Sequence, residues 1–206
     1  MLDYELKYYK EGLTYIAGCD EAGRGPLAGP VVCAAVIMPF DFKNDDVNDS
    51  KQLSDKKRRE LFDIIKREAI AYAIVEISAD EIDEINIYEA SRLGMERALK
   101  ELHHQYEMVL TDCMPLHHEE VPVEAIIKGD AKSFNIACAS ILAKVTRDNL
   151  LIELDKQYPQ YGFAKHKGYG TKQHLEALDK YGAIPHIHRQ TYGPVKKLGQ
   201  KQLTLF

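Results

Sequence analysis

The sequence predicts an α/β domain, a mixed β-sheet flanked by helices. Three observations predict it. Residues 31–38 form a continuous apolar run, the mark of a strand covered on both faces. Residues 71–78 alternate as a strand of period two. Segments of strand and helix character then follow one another in the order β-β-α-β-α-β-β-α, which layers helices against a sheet.

Each element has a local reason. Residues 14–19 are apolar and lead straight into Asp20 and Glu21, where that first strand is expected to end. Residues 22–30 carry three glycines and two prolines, which is loop chemistry. Ser54 is a helix cap for a segment running to residue 68, with apolar Leu61, Ile64 and Ile65. Residues 80–104 read as one or two helices. Residues 108–111 form a short strand ending at Asp112, and residues 123–127 form another ending near Asp130. Residues 133–158 make a long helical pattern, rich in small residues from 137 to 143, so it can pack close to a sheet. A last helix spans residues 171–181 from a Thr cap.

The composition narrows the function classes. With 206 residues, 45% of them hydrophobic and 29% charged, the chain has ordinary globular make-up. No apolar run approaches the ~20 residues that span a bilayer, and no basic segment followed by an apolar one opens the chain. Cys19, Cys33, Cys113 and Cys138 are scattered, without a C-x-x-C pair, and read as free thiols in a reducing cytoplasm rather than as a zinc site. The formal charge is −5, unevenly spread. Up to Asp130, 15 Lys and Arg stand against 27 Asp and Glu; beyond it, 12 stand against 5. An acidic part that calls for a cation therefore adjoins a basic part suited to a polyanion.

Asp20, Glu21, Asp112 and Asp130 all fall at the ends of predicted strands, where α/β folds place ligands. Carboxylates gathered there repel one another and resist ionising, a conflict that a divalent cation resolves. Oxygen donors without His or Cys favour Mg²⁺ or Mn²⁺. Gly23-Arg24-Gly25 follows within three residues, offering backbone N–H groups and a guanidinium to phosphate or sugar oxygens. It matches neither a P-loop nor a dinucleotide fingerprint.

At this point the residues resemble a known family. AGCDEAGRGPLAGPVV at residues 17–32 is similar to the opening signature of bacterial ribonuclease HII, the type 2 ribonuclease H. DSKQLS at 49–54, KGD at 128–130, ASILAKVTRD at 139–148 and HKGYGT at 166–171 agree with it in order. The resemblance implies a ribonuclease H-like fold with a C-terminal helical extension. It divides the chain into a catalytic domain over residues 1–198, with its core at about 13–150 and the extension at about 151–198, and a flexible tail over residues 199–206.

The same resemblance implies cleavage of the RNA strand of RNA–DNA hybrids. It also implies incision 5′ of single ribonucleotides in duplex DNA, leaving 5′-phosphate and 3′-hydroxyl ends, with two divalent ions. It puts Asp20, Glu21, Asp112 and Asp130 in the metal shell, Gly23, Arg24 and Gly25 on the substrate, and Tyr169 at the sugar. Lys51, Lys144, Lys165, Lys167 and Arg189 are candidate phosphate contacts. Small departures from the family pattern are Cys113 where glycine is more usual, Gly170 where proline is commoner, and Cys138 in place of alanine. Gln202, Leu203, Thr204, Leu205 and Phe206 resemble the peptide by which replication and repair proteins dock on the bacterial sliding clamp. The expected protein is a cytoplasmic monomer that uses no membrane. The competing readings are another metal-dependent nuclease, such as a DNA-only nuclease or resolvase, and a non-catalytic nucleic-acid-binding module.

Overall fold

The computed structural model describes residues 2–47, 53–118 and 120–203. Its strands are β1 (Ile16–Ala22), β2 (Val31–Ile37), β3 (Ala71–Ile77), β4 (Met108–Asp112) and β5 (Val123–Ile126). Its helices are α1 (Asp3–Lys10), α2 (Asp55–Glu68), α3 (Ala79–Ile85), α4 (Ile87–Glu101), α5 (Phe134–Gln157), α6 (Phe163–His166), α7 (Lys172–Tyr181) and α8 (Gly193–Leu203). The strands form one sheet in the order β3-β2-β1-β4-β5. The pairs β1–β2 and β2–β3 are antiparallel, whereas β1–β4 and β4–β5 are parallel.

The unbroken apolar run in β2 is explained by the two layers that cover it. Val31, Cys33, Ala35 and Ile37 join one core cluster with Met95, Ala98 and Leu99 of α4. Val32, Ala34 and Val36 face the other way, against α2 and α5. The caps form as the residue types suggest: the side chains of Ser54, Ser133 and Thr171 accept from the third backbone N–H beyond each. The segment expected to hold one or two helices holds two, because Asn86 turns to φ 69° and its side chain starts α4 by accepting from the N–H groups of Tyr88 and Glu89.

Three corrections concern boundaries. β1 continues past Cys19 to Ala22, so Asp20 and Glu21 lie within the strand, held there by pairing with Ala34 and Cys33 of β2. The proposed division at residue 151 falls inside the continuous helix α5. The tail expected from residue 199 begins within α8, which runs to Leu203, and Thr204, Leu205 and Phe206 lie outside the described residues.

Helix α1 carried no clear signal in the sequence. It delivers Glu5 to the start of α5, where Glu5 is fully buried and accepts from the Ser133 hydroxyl at 2.5 Å and the Asn135 N–H at 3.0 Å. Burial pushes the Glu5 carboxyl above its usual range. The extension packs its own small core of Tyr161, Phe163, Ala177, Leu178 and Val195 against Leu27, Ala28 and Leu151. Among the described residues no helix is long and apolar enough to cross a membrane.

Helix α5 comes nearest to the sheet at Gly18 of β1. A Cβ there would lie 2.3 Å from the backbone carbon of Asn135 and 2.5 Å from the Ile136 nitrogen, so neither backbone leaves room for a methyl group. Gly18→Ala should therefore cost about 1–3 kcal/mol of stability through forced separation of the layers. Denaturant titration would detect it as a lowered midpoint, and a wild-type midpoint would contradict the close approach.

Candidate active site

Strand register and strand parity bring the first two acids together. Ile16 and Gly18 of β1 pair with Met108 and Leu110 of β4. Continued by two residues, that parallel register sets Asp20 beside Asp112. With a side-chain period of two, both point to the face covered by α5, as Ile16, Met108 and Leu110 do. Asp130 arrives from the opposite direction, in a 3₁₀ turn (Gly129–Ala131) that immediately precedes α5. The turn is tied to the strand end, because the Gly129 N–H donates to Asp112 Oδ1 at 2.7 Å. One carboxylate oxygen from each of Asp20, Asp112 and Asp130 lies within 4.8 Å of the others.

Glu21 was expected in the same shell and does not share that cluster. As the next residue along β1 it has the opposite parity; it still lines the cleft, largely buried, with Arg24 Nη1 at 3.4 Å from its Oε1.

Electrostatics distinguish Asp20. It is 4% exposed, and burial, then the charges of Glu21 and Asp112, hold its carboxyl well above the usual range. The Ser140 hydroxyl and the Glu21 N–H, at 2.7 Å, oppose that shift by donating to it. Sequence reasoning gave Ser140 no role; its signal was a hydroxyl two helical turns beyond Ser133, on nearly the same face of α5. The left-handed φ of 55° at Cys113 explains why glycine suits the position after Asp112. Cys113 is exposed, whereas Cys19, Cys33 and Cys138 are buried, and all four are free thiols.

The acids open into a cleft of about 470 Å³ lined also by Gly23, Arg24, Gly25, Arg58, Lys144 and Tyr169. Tyr169 is 47% exposed, and its ring lies 3.5 Å from where a Cβ on Gly25 would be, so ring and loop form adjoining walls. The loop is cemented from behind. The Arg189 guanidinium donates to the carbonyls of Gly23 at 2.6 Å, Arg24 at 2.9 Å and Gly29 at 2.9 Å. Arg147 donates to the carbonyls of Ala28, Pro30 and Lys167, each at 3.0 Å. Burial, then the Arg189 charge, lowers Arg147 to about 10, which still leaves it a cation.

These bonds correct one expectation: Arg189 is fully buried and serves loop carbonyls, not phosphate. Lys144 does line the cleft, bonded to Asp148 at 2.7 Å along its helix. Lys165 is exposed on α6, outside that lining, and the Lys167 ammonium bonds the Ala164 carbonyl. Lys51 lies outside the described residues, as do the side chains of Gln202 and Leu203. Arg58 was missed. It is 8% exposed and donates to the Leu53 carbonyl at 2.8 Å. Its signal was a position three before Leu61 and seven before Ile65, on the buried face of α2.

Fold and site together define a class: the chain is a hydrolase of the ribonuclease H-like fold. Solved structures carry the fold assignment. The ribonuclease H2 of Pyrococcus horikoshii OT3 superposes with a TM-score of 0.79 at 28% identity, over 91% of this chain and 98% of that one. RNase HII in the PCNA:RNase HII complex from Archaeoglobus fulgidus superposes with a TM-score of 0.69 at 27% identity, over 87% and 95%. Ribonuclease HII of Listeria innocua is 54% identical over 96% of this chain and 75% of its own length. The family model for Ribonuclease HII matches residues 17–194, and the chain belongs to the ribonuclease HII family.

Carboxylates forced together in this way should trade stability for function. The raised value of Asp20 means that the folded protein holds this proton more tightly than the unfolded chain does, so ionising it as pH rises weakens folding. Asp20→Asn should then raise the melting temperature of EDTA-treated protein at neutral pH, by about 2–4 °C per kcal/mol of repulsion relieved. It should also abolish Mg²⁺-dependent cleavage. A lowered melting temperature, or retained cleavage, would contradict the assignment.

Proposed function

We propose that this ribonuclease H, acting on RNA–DNA hybrids, also incises 5′ of single ribonucleotides embedded in duplex DNA, leaving 5′-phosphate and 3′-hydroxyl ends. Its cellular work would be ribonucleotide excision and RNA primer removal in the cytoplasm, as a monomer. The observation that carries this reading is the Tyr169 ring standing beside the Gly23–Gly25 loop in a cleft that also holds converging carboxylates.

The donor set fits a hard divalent ion. It consists of carboxylate oxygens alone, crowded enough that burial and like charge resist ionisation of Asp20. Asp20, Asp112 and Asp130 would hold Mg²⁺ or Mn²⁺, with Glu21 in the same cleft completing the site for a second ion. Two ions bound there supply Lewis acidity and charge neutralisation for in-line hydrolysis of a phosphodiester.

The chain's own groups do the positioning. Ser140 orients Asp20, and the Gly129 N–H orients Asp112. Arg189 and Arg147 occupy carbonyls on the inner side of the glycine loop, which favours presenting the N–H groups of Gly23, Arg24 and Gly25 to a 2′-hydroxyl. The Tyr169 ring, packed on the sugar of the following nucleotide, would leave little room for a 2′-hydroxyl there and so favour an RNA-to-DNA junction. Arg24, Arg58 and Lys144, which line the cleft, would steady the phosphates, and Lys51 and Lys165 are candidates for more distant ones.

The cut should map to the 5′ side of the lone ribonucleotide. Tyr169→Ala should lower kcat/KM on that duplex about 5- to 150-fold, in line with ~1–3 kcal/mol of stacking, and Tyr169→Phe should lower it far less. Equal, negligible losses would defeat the sugar-reading role, and cleavage of an all-deoxy duplex would favour a DNA nuclease.

Gln202, Leu203, Leu205 and Phe206 are proposed to dock on the bacterial sliding clamp, a hydrophobic anchor at the end of the chain. A solved complex of an archaeal RNase HII with PCNA supports the idea that members of this family meet a clamp. Deleting residues 202–206 should abolish binding to immobilised clamp while leaving turnover on short duplexes intact; undiminished binding would exclude the tail.

A further inference from the structure

Three histidines lie buried behind Tyr169: His166 at 8% exposure, His174 at 0% and His188 at 1%. Their partners determine their tautomers. The Ile184 N–H donates to His188 Nδ1 at 2.9 Å, so the His188 proton sits on Nε2. His188 Nε2 lies 3.1 Å from His174 Nε2, which must accept that proton's bond. The His174 proton is therefore on Nδ1, and Nδ1 lies 2.9 Å from the Tyr169 carbonyl, which can only accept. The result is one directed chain, from the Ile184 N–H through two neutral imidazoles to the Tyr169 backbone.

His166 stacks on His174 with ring centres 4.5 Å apart. Its Nε2 donates to the Tyr161 carbonyl at 2.8 Å, and its Nδ1 accepts from the Gly168 N–H at 3.2 Å. Phe163 and Tyr161 enclose the cluster. Burial, then the neighbouring imidazole, lowers His188 to about 4, which agrees with the neutral forms that the hydrogen bonds require.

The carbonyls of the two residues before Tyr169 are held as well. Leu27 N–H donates to the Gly168 carbonyl at 2.8 Å, and Arg147 to that of Lys167. Within the extension, the Tyr169 N–H donates to the His166 carbonyl at 2.9 Å and the Thr171 N–H to the Tyr169 carbonyl at 2.8 Å, and the imidazole chain adds a tie to that same carbonyl from as far along as His188 and Ile184.

We infer that His174 and His188 are positioning residues for the substrate, a hydrogen-bonded relay by which the C-terminal extension sets the Tyr169 ring against the Gly23–Gly25 loop. The inference rests on the sugar-reading role proposed for Tyr169. It explains why the extension would matter to substrate choice: its two imidazoles hold the wall of the cleft that adjoins the glycine loop.

Two readouts on the full chain test it. In His174→Leu, amide hydrogen exchange at Tyr169 and Thr171 should accelerate about tenfold or more, with the sheet amides unchanged. The same variant should lower kcat/KM on a single-ribonucleotide duplex about tenfold, but less than about twofold further when Tyr169→Ala is already present, because coupled residues do not add. His174→Asn, whose amide can still donate to the Tyr169 carbonyl, should recover most of the activity. His188→Asn, which can still accept from Ile184, should show the loss in milder form and guards against a His174 variant that fails to fold.

Unchanged exchange in a folded His174→Leu protein would overturn the relay. So would an equal loss of activity with and without the Tyr169 ring, since that marks a general structural defect. If Tyr169→Ala alone cost nothing, the sugar-reading role would fail, and the exchange result would still decide whether the relay holds the segment.

Discussion

The structure depends above all on how α5 lies across the sheet. Gly18 lets the helix approach β1 at backbone distance, and the helix then acts as a ruler. Ser133, Ser140 and Arg147 stand seven residues apart, so they repeat every two turns on nearly one face, about 10 Å from one to the next. Ser133 holds Glu5 and thereby α1. Ser140 holds Asp20. Arg147 holds the glycine-rich loop and the segment before Tyr169. Asn135 adds a bond to the Ile16 carbonyl at 3.0 Å, locking the helix to the strand that carries Asp20. A helix with this duty is buried nearly all round, which is why its apolar residues do not form a single stripe.

Two kinds of buried polar group serve the cleft, and they work in opposite ways. The carboxylates are brought closer than their charges favour, which makes the site costly until a cation neutralises it. The two arginines and the histidines behind the cleft are saturated with fixed backbone partners, so they stabilise their surroundings and leave one conformation open to the loops. Strain at the reacting centre and rigidity behind it are complementary: an unsettled charge cluster is useful only if its walls do not move to relieve it.

The basic C-terminal third acquires a specific meaning in three dimensions. Its arginines are partly consumed inside the protein, as Arg147 and Arg189 show. Lys144 and Arg24, by contrast, line the cleft, ion-paired with Asp148 and Glu21. A count of charges along the chain cannot separate a guanidinium that braces a loop from one that meets phosphate, because both are cations in a glycine-rich neighbourhood.

What could be read in one dimension was whatever leaves a local or familial trace. Val31–Ile37 announced its double burial through unbroken apolarity, and the caps Ser54 and Thr171 announced themselves through their hydroxyls. Asp20, Asp112 and Asp130 were legible as acids at predicted strand ends, Asp20 and Asp130 also within family motifs. Three-dimensional packing settled the rest. The parity of β1 separates Glu21 from Asp20, although they are neighbours in the chain. Burial removed Arg189 from the surface and placed Arg58 in the cleft. The imidazole chain joins residues 169, 174, 184 and 188 through hydrogen bonds whose direction depends on where each proton can go. Such facts arise from contacts between distant segments, and no local pattern of residue types encodes them.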